Sequence, residues 1–287
     1  MNWVSIDNDK CNECGICVLR CMSCFSQIEA GIVAQADITN CNICGHCVSL
    51  CPTDAITHTE MDMANFIETG KNDLLEADAF VRFVRRRRSH RHFKNKPIPR
   101  ADLEKLIDIC RYAPTGSNDQ NVNILVIQDR NRIEKLADMT IDFFKQLGAS
   151  FEKKIESLKA EGKDVSEDLQ RMQFYADRLT LARETGINPI FYNAPAVLVF
   201  HAPQTGSCPK DNCVIASTTM GLAAMTMGLE STYIGLFEAA ALGYPEVNKE
   251  LNLPAGHQVY SVLILGYPAL KYQRTVDRKP INVRWDE

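Results

Sequence analysis

Two cysteine runs constrain this chain more than any other feature. CNECGICVLRC sets Cys11, Cys14, Cys17 and Cys21 in the spacing C-x2-C-x2-C-x3-C, and CNICGHCVSLC repeats it with Cys41, Cys44, Cys47 and Cys51. Even the interior C-N-x-C-G-x-C-V recurs, so the runs are an internal duplication whose halves are expected to form a pseudo-symmetric pair. Nine of the twelve cysteines fall between Cys11 and Cys51; the others are Cys110, Cys208 and Cys213. The N-terminus, MNWVSIDNDK, lacks the basic start and apolar core of an export signal, so a reducing cytoplasm is expected and ligation is favoured over disulfides. Zinc normally takes paired cysteines from two separated knuckles. Three thiolates at successive three-residue steps suit an iron–sulfur cubane better, because the chain can wrap one face of it.

The second run closes on Pro52, and C-x2-C-x2-C-x3-C-P resembles the bacterial-type 2[4Fe–4S] ferredoxins, over about residues 1–62. The resemblance implies crossed ligation. Cys11, Cys14, Cys17 and Cys51 would hold one cluster, and Cys41, Cys44, Cys47 and Cys21 the other. IEAGIVAQADI and AITHTEM read as short hairpins. The first run departs from the pattern, since Met22 stands after Cys21 and Cys24 follows three positions on. Cys24 could replace Cys21, but reads first as a buried free thiol. His46 reads as exposed or hydrogen-bonding, since the cysteines already suffice.

Beyond residue 62 the texture changes. Residues 63–79 read as a connector and 80–287 as a second domain, which the length of 287 residues accommodates. A helix carrying Leu74, Leu75, Phe80, Val81 and Val84 runs into Arg85, Arg86, Arg87 and Arg88. In a chain of formal net charge −4 that lacks an extended basic face, four arginines suit a compact phosphate better than nucleic acid. No apolar run reaches the ~18 residues a membrane span requires, so no membrane partner is expected.

Arg87-Arg88-Ser89-His90-Arg91-His92-Phe93, then Pro97-Ile98-Pro99, a helix through Leu103, Leu106, Ile107 and Cys110, and Ala113-Pro114-Thr115-Gly116-Ser117-Asn118-Asp119-Gln120 follow in order. Their order and spacing resemble the start of the FMN-dependent nitroreductase family. Tyr233-Ile234-Gly235-Leu236 and Gly266-Tyr267-Pro268, followed by Lys271, Arg274, Arg278 and Lys279, extend the likeness to about residues 80–287. It implies an α+β sandwich with a central, largely antiparallel sheet. The apolar strands expected at Asn123–Gln128, Ala196–Phe200 and Gln258–Gly266 agree, as does a small-residue helix from Asn212 to Gly228 with Asp211 as its N-cap. The charged stretch 140–190, with a break at Gly162 to Ser166, reads as a helical hairpin that covers the flavin or extends a dimer interface. Phe144, Phe151, Phe174, Tyr175 and Tyr192 are candidates for lining a pocket. Cys208 and Cys213 lack a companion pair and do not read as a metal site.

By this resemblance Arg87, Arg88, Ser89 and Arg91 would hold the FMN phosphate and ribityl oxygens. Ser117, Asn118 and Gln120 would reach the flavin from the partner of a homodimer, the Gly235 N–H would approach flavin N5, and Arg278 would complete the phosphate clamp, with Lys279 and Arg274 as weaker alternatives. One motif breaks off: Asn121-Val122 stands where many members carry Pro-Trp, so a nitroaromatic substrate does not transfer automatically. No side chain reads as a catalytic acid or base, which suits flavin-centred chemistry. No G-x-G-x-x-G follows a strand, yet the resemblance leaves NAD(P)H as a direct donor. The joint expectation is an oxidoreductase in which two [4Fe–4S] clusters exchange electrons with FMN. Electrons would enter from another ferredoxin or redox protein, and FMN would reduce a small organic acceptor. The alternative is a non-catalytic electron-transfer subunit; a redox sensor ranks third because no signalling domain is visible.

Overall fold

The structure, a computed structural model, describes residues 3–34, 40–186 and 188–286. Contacts divide it into two units: Met1–Glu76 with Ser117–Asp119, and Ala77–Gly116 with Gln120–Glu287.

The first unit repeats its own backbone as it repeats its sequence. Its elements are β1 (Val4–Ile6), α1 (Ile16–Arg20), β2 (Phe25–Ile28), β3 (Gly31–Ala34), α2 (His46–Leu50) and β4 (Ile56–His58). Each short helix is entered through a left-handed glycine, Gly15 at φ 72° and Gly45 at φ 71°, a conformation glycine adopts without steric cost. Val4, Phe25, Ile32, Val48 and Ile56 are buried together. A hairpin forms as β2 and β3, with Phe25 opposite Ala34, so it begins three residues before the expected IEAGIVAQADI; residues 35–39 lie outside the described residues. AITHTEM does not form its own hairpin. β4 pairs antiparallel with β1 instead, setting Ile56 opposite Ile6 and His58 opposite Val4. Its inward Ile56 and His58 alternate with outward Thr57, which fits a ladder against β1. The following residues turn away, with Asp62 accepting the Ala64 N–H.

The second unit comprises α3 (Ala77–Arg86), α4 (Arg100–Ile109), β5 (Asn123–Ile127), α5 (Arg130–Ala160), α6 (Glu167–Glu184), β6 (Ala196–Pro203), α7 (Pro209–Thr226), β7 (Glu230–Tyr233), α8 (Gly235–Gly243), α9 (Pro245–Leu251) and β8 (His257–Gly266). The strands form one antiparallel sheet in the order β5-β6-β8-β7. Strand side chains alternate between faces, and here both faces are covered. Val197 and Val199 enter a core with Ile133, Leu136 and Phe237 from α5 and α8. Ala196, Leu198 and Phe200 enter the other, with Leu103, Leu106 and Met220 from α4 and α7. This is why AVLVF reads as an unbroken apolar run. The result is an α+β sandwich with a central antiparallel sheet, as expected.

Two local readings need adjustment. α7 begins at Pro209 with Cys208, not Asp211, in the capping position. Proline is preset for the first helical turn because its missing N–H would have no partner there, and Asp211 sits within that turn, where the helix dipole favours a carboxylate. The charged stretch forms the helical hairpin α5–α6, but α5 starts ten residues before the stretch, at Arg130. Asp129 caps α5 by accepting the Arg132 N–H at 2.7 Å. Asp129→Ala is expected to cost about 1 kcal/mol, read as a lower urea midpoint at unchanged slope. Among the described residues no helix is long and apolar enough to cross a membrane.

Candidate functional site

The first unit gathers cysteines across the two runs. Cys11, Cys14 and Cys17 of the first run and Cys51 of the second line one cavity, walled otherwise mainly by Ile6, Ile16, Ile32 and Ile56. β1–β4 pairing brings this about, since Asp7 N donates to Ala55 O at 2.8 Å and so holds the end of the second run beside the start of the first. Cys51 Sγ accepts the Ala55 N–H at 3.2 Å. Burial alone would raise the Cys51 pKa, but the hydrogen bonds from the Thr53 and Ala55 N–H groups, the Thr53 hydroxyl and the Ile56 N–H lower it, favouring thiolate.

Cys21 of the first run likewise lies near Cys47 of the second. Burial, with Cys44, Cys21 and Cys41 nearby, pushes Cys47 up to about 11 against the Val48 N–H. Cys24 is 5% exposed, as expected of a buried thiol, and burial followed by its neighbours Cys21 and Cys41 raises it to about 12. His46 is exposed. Thiolates crowded this way repel one another unless a cation compensates them. Left-handed backbone recurs at matching places, at Glu13 (φ 57°) and Gly15 and again at Ile43 (φ 55°) and Gly45. Such turns aim successive N–H groups into a concavity suited to an anionic cluster, and a β-branched residue such as Ile43 adopts positive φ only at an energetic cost. Among the described residues no three His, Cys, Asp or Glu side chains are placed to hold a single metal ion; the first set borders a cavity instead. Sequence reading missed His58, which is 2% exposed with Nε2 3.5 Å from Cys41 Sγ. No ligand-spacing rule marks it.

In the second unit the arginines converge. A cavity of about 460 Å³ is lined by Val84, Arg85, Arg87, Arg88, Val276, Asp277 and Arg278. Arg88 Nε is buried without a hydrogen-bond partner among the described residues. A donor left so is costly unless a ligand satisfies it. The segment after α3 runs beside β7: Ser89 bridges to Ser231, and His90 N–H donates to Ser231 O at 3.1 Å. Arg278 Nη1 is held by Asp277 O at 3.2 Å.

Other expected members lie elsewhere. Ser89 and Arg91, expected at the phosphate, do not line this cavity. Arg91 lies over the Tyr192 ring, 5.6 Å from its centroid. Lys271 and Arg274 line a different cavity with Arg86, His90 and Glu230, and Lys279 is exposed. Gly235 opens α8 two residues after β7 ends at Tyr233, and a Cβ added there meets open space, so no part of the chain demands a glycine. Ser117, Asn118 and Gln120 all take left-handed φ, at 53°, 56° and 46°, a strain that clusters at binding sites. The Gln120 N–H is held by Thr115 Oγ1 at 3.1 Å, and within the first unit Asn118 Nδ2 donates to the carbonyls of Asn42 and Ile43. Phe174 is exposed, Phe144, Phe151 and Tyr192 are half-buried, and the Tyr175 side chain lies outside the described residues. Cys213 is a core thiol raised to about 12 by burial, while Cys208 is exposed.

Buried histidines set a pH dependence. Burial, then His257, lowers the His201 pKa below its ordinary 6.5, and the two Nδ1 atoms lie 2.9 Å apart. A base with a depressed native pKa binds fewer protons folded than unfolded, so its stability contribution is present above 6.5 and is lost as pH falls through the native value. His201→Gln is expected to flatten the loss of urea stability on acidifying below 6.5.

The pattern of the nitroreductase family matches residues 84–267, more than half of the chain, and covers the sheet and the arginine segment. The chain belongs to that family. Its similarity to individual relatives is low. A protein of Archaeoglobus fulgidus, assigned by name to the NADH dehydrogenase/NAD(P)H nitroreductases, is 22% identical over 193 residues, 66% of this chain and 84% of that protein. A BluB-like flavoprotein from Clostridium difficile superposes with a TM-score of 0.54 at 19% identity, covering 72% of this chain and 96% of the other. An FMN-bound nitroreductase from Desulfitobacterium hafniense gives 0.52 at 21% identity, covering 74% and 100%. These structures show that this nitroreductase-family chain shares their fold. The matched region begins after the duplicated cysteine runs.

Proposed function

We propose that this nitroreductase-family chain is a flavin-dependent oxidoreductase. Its arginine cavity holds the phosphate of FMN, and its cysteine runs hold two [4Fe–4S] clusters that exchange electrons with the flavin. Bound FMN would supply the chemistry to reduce a small organic acceptor, such as a nitro compound, a quinone or an activated alkene. One observation carries the two-cofactor reading: Cys11, Cys14, Cys17 and Cys51, drawn from both runs, line a single cavity. That is the crossed set a two-cluster module needs, and no isolated zinc knuckle would build it. Arg88, with its unpartnered buried Nε, and Arg278 support the flavin half.

Bound FMN supplies exchange between one-electron and two-electron carriers, and the protein's part is to bind and orient it. Arg87, Arg88 and Arg278 neutralise the phosphate through charged hydrogen bonds, for which the guanidinium fork is suited. In this reading Ser117, Asn118 and Gln120 reach the flavin from a second copy of the chain. NAD(P)H or a reduced ferredoxin serves as donor. Anaerobic purification and reconstitution test the proposal: FMN bound in proportion to protein, with iron and sulfide for two clusters, is expected. A chain that retains neither contradicts it.

A further inference from the structure

We infer that His58 hydrogen-bonds to the Cys41 thiolate and raises the reduction potential of the cluster held by Cys21, Cys41, Cys44 and Cys47, so that the duplicated module carries two unequal clusters. The inference rests on the cluster reading above. His58 ends β4, is 2% exposed, and packs near Trp3 with ring centroids 6.4 Å apart. Its Nδ1 accepts the Glu60 N–H at 3.2 Å, which assigns the ring hydrogen to Nε2. Nε2 lies 3.5 Å from Cys41 Sγ, within reach of an N–H···S bond. A donor on a ligating sulfur draws off electron density and favours the reduced cluster, while fixing the orientation of the ligand.

The duplication supplies an internal comparison. His58 follows Cys41 by 17 residues, and the same offset from Cys11 falls on Ile28, which cannot donate and is 49% exposed. The sulfur support on the other set is of a different kind, with the Ala55 N–H on Cys51 Sγ at 3.2 Å and Thr53 Oγ1 at 3.7 Å. Two runs that share seven of their eleven residues thus differ in what their sulfurs feel. His58 is a positioning and tuning residue and not a ligand.

The test is an EPR-monitored redox titration of the reconstituted full chain, as wild type, His58→Phe and His58→Gln. Phenylalanine keeps the ring and removes the donor, whereas glutamine restores an N–H. In His58→Phe one midpoint is expected to fall while the other stays, with iron content unchanged, and His58→Gln is expected to recover part of the shift. Two unmoved midpoints in His58→Phe overturn the inference, as does an equal shift in both variants. If His58→Phe assembles one cluster only, spin-echo spectroscopy of the reduced His46→Gln protein with 15N-labelled histidine decides. A histidine nitrogen coupled to one cluster is expected, and its absence overturns the assignment. A wild-type chain that binds no iron overturns the cluster reading itself, and this inference with it.

Discussion

Cys51→Ala is expected to erase the same iron–sulfur signal as Cys11→Ala, and to halve the iron while FMN stays bound. The two residues stand in different runs yet line one cavity. If each run instead closed its own cluster, Cys51→Ala would remove the signal that depends on Cys41 and Cys44. Double variants separate the two arrangements. Cys11→Ala with Cys51→Ala should still leave half of the iron, because both losses fall on one cluster. Cys11→Ala with Cys41→Ala should leave none. Iron and sulfide analysis with EPR of the reduced protein reads the outcome. The effect is large because a lost thiolate removes a cluster ligand and its compensating charge together.

Arg88→Ala and Arg278→Ala are each expected to weaken FMN binding about 10- to 100-fold. A hydrogen bond to a charged group contributes about 1.5–3 kcal/mol, and each 1.4 kcal/mol is roughly tenfold in affinity. Arg88→Lys should fall between, since it keeps the charge but loses the fork. Arg91→Ala should weaken binding less, because its guanidinium lies over Tyr192, outside the arginine cavity. Flavin fluorescence during dialysis of reconstituted variants measures all four. Unchanged affinity in both Arg88→Ala and Arg278→Ala would place the phosphate elsewhere.

Much of the fold was legible because its signals are local. The apolar runs of β6 and β8 reflect burial on both faces, and the gap between α5 and α6 falls where Gly162 to Ser166 interrupts the charged stretch. What the sequence hid depends on distant partners. AITHTEM contains a strand, but its partner is β1, more than fifty residues earlier, and no local pattern favours that pairing over a hairpin. The start of α7 turned on Pro209 at its first position, which outweighed the capping preference of Asp211.

The candidate sites divide along the same line. Cysteine positions follow from ligand spacing, and the duplication made them plain. His58 was invisible because a group beside a cysteine sulfur obeys no spacing rule; only the β1–β4 pairing and the Glu60 turn set its ring. Arg87 and Arg88 came from an arginine run, whereas Arg278 joins them across almost the full length of the second unit. Arg91 follows the same motif in sequence, yet its guanidinium lies over Tyr192 and does not line the cavity.

The proposed function requires one chain to join a flavin to two iron–sulfur clusters. Anaerobic absorbance titration of the reconstituted protein, with NADH or a reduced ferredoxin added stepwise, tests it most directly. The flavin and cluster bands are expected to bleach in the same protein, with the clusters first if ferredoxin is the donor and the flavin first if NADH is. Cluster bands that never form, or that stay oxidised beside a fully reduced flavin with either donor, would contradict it.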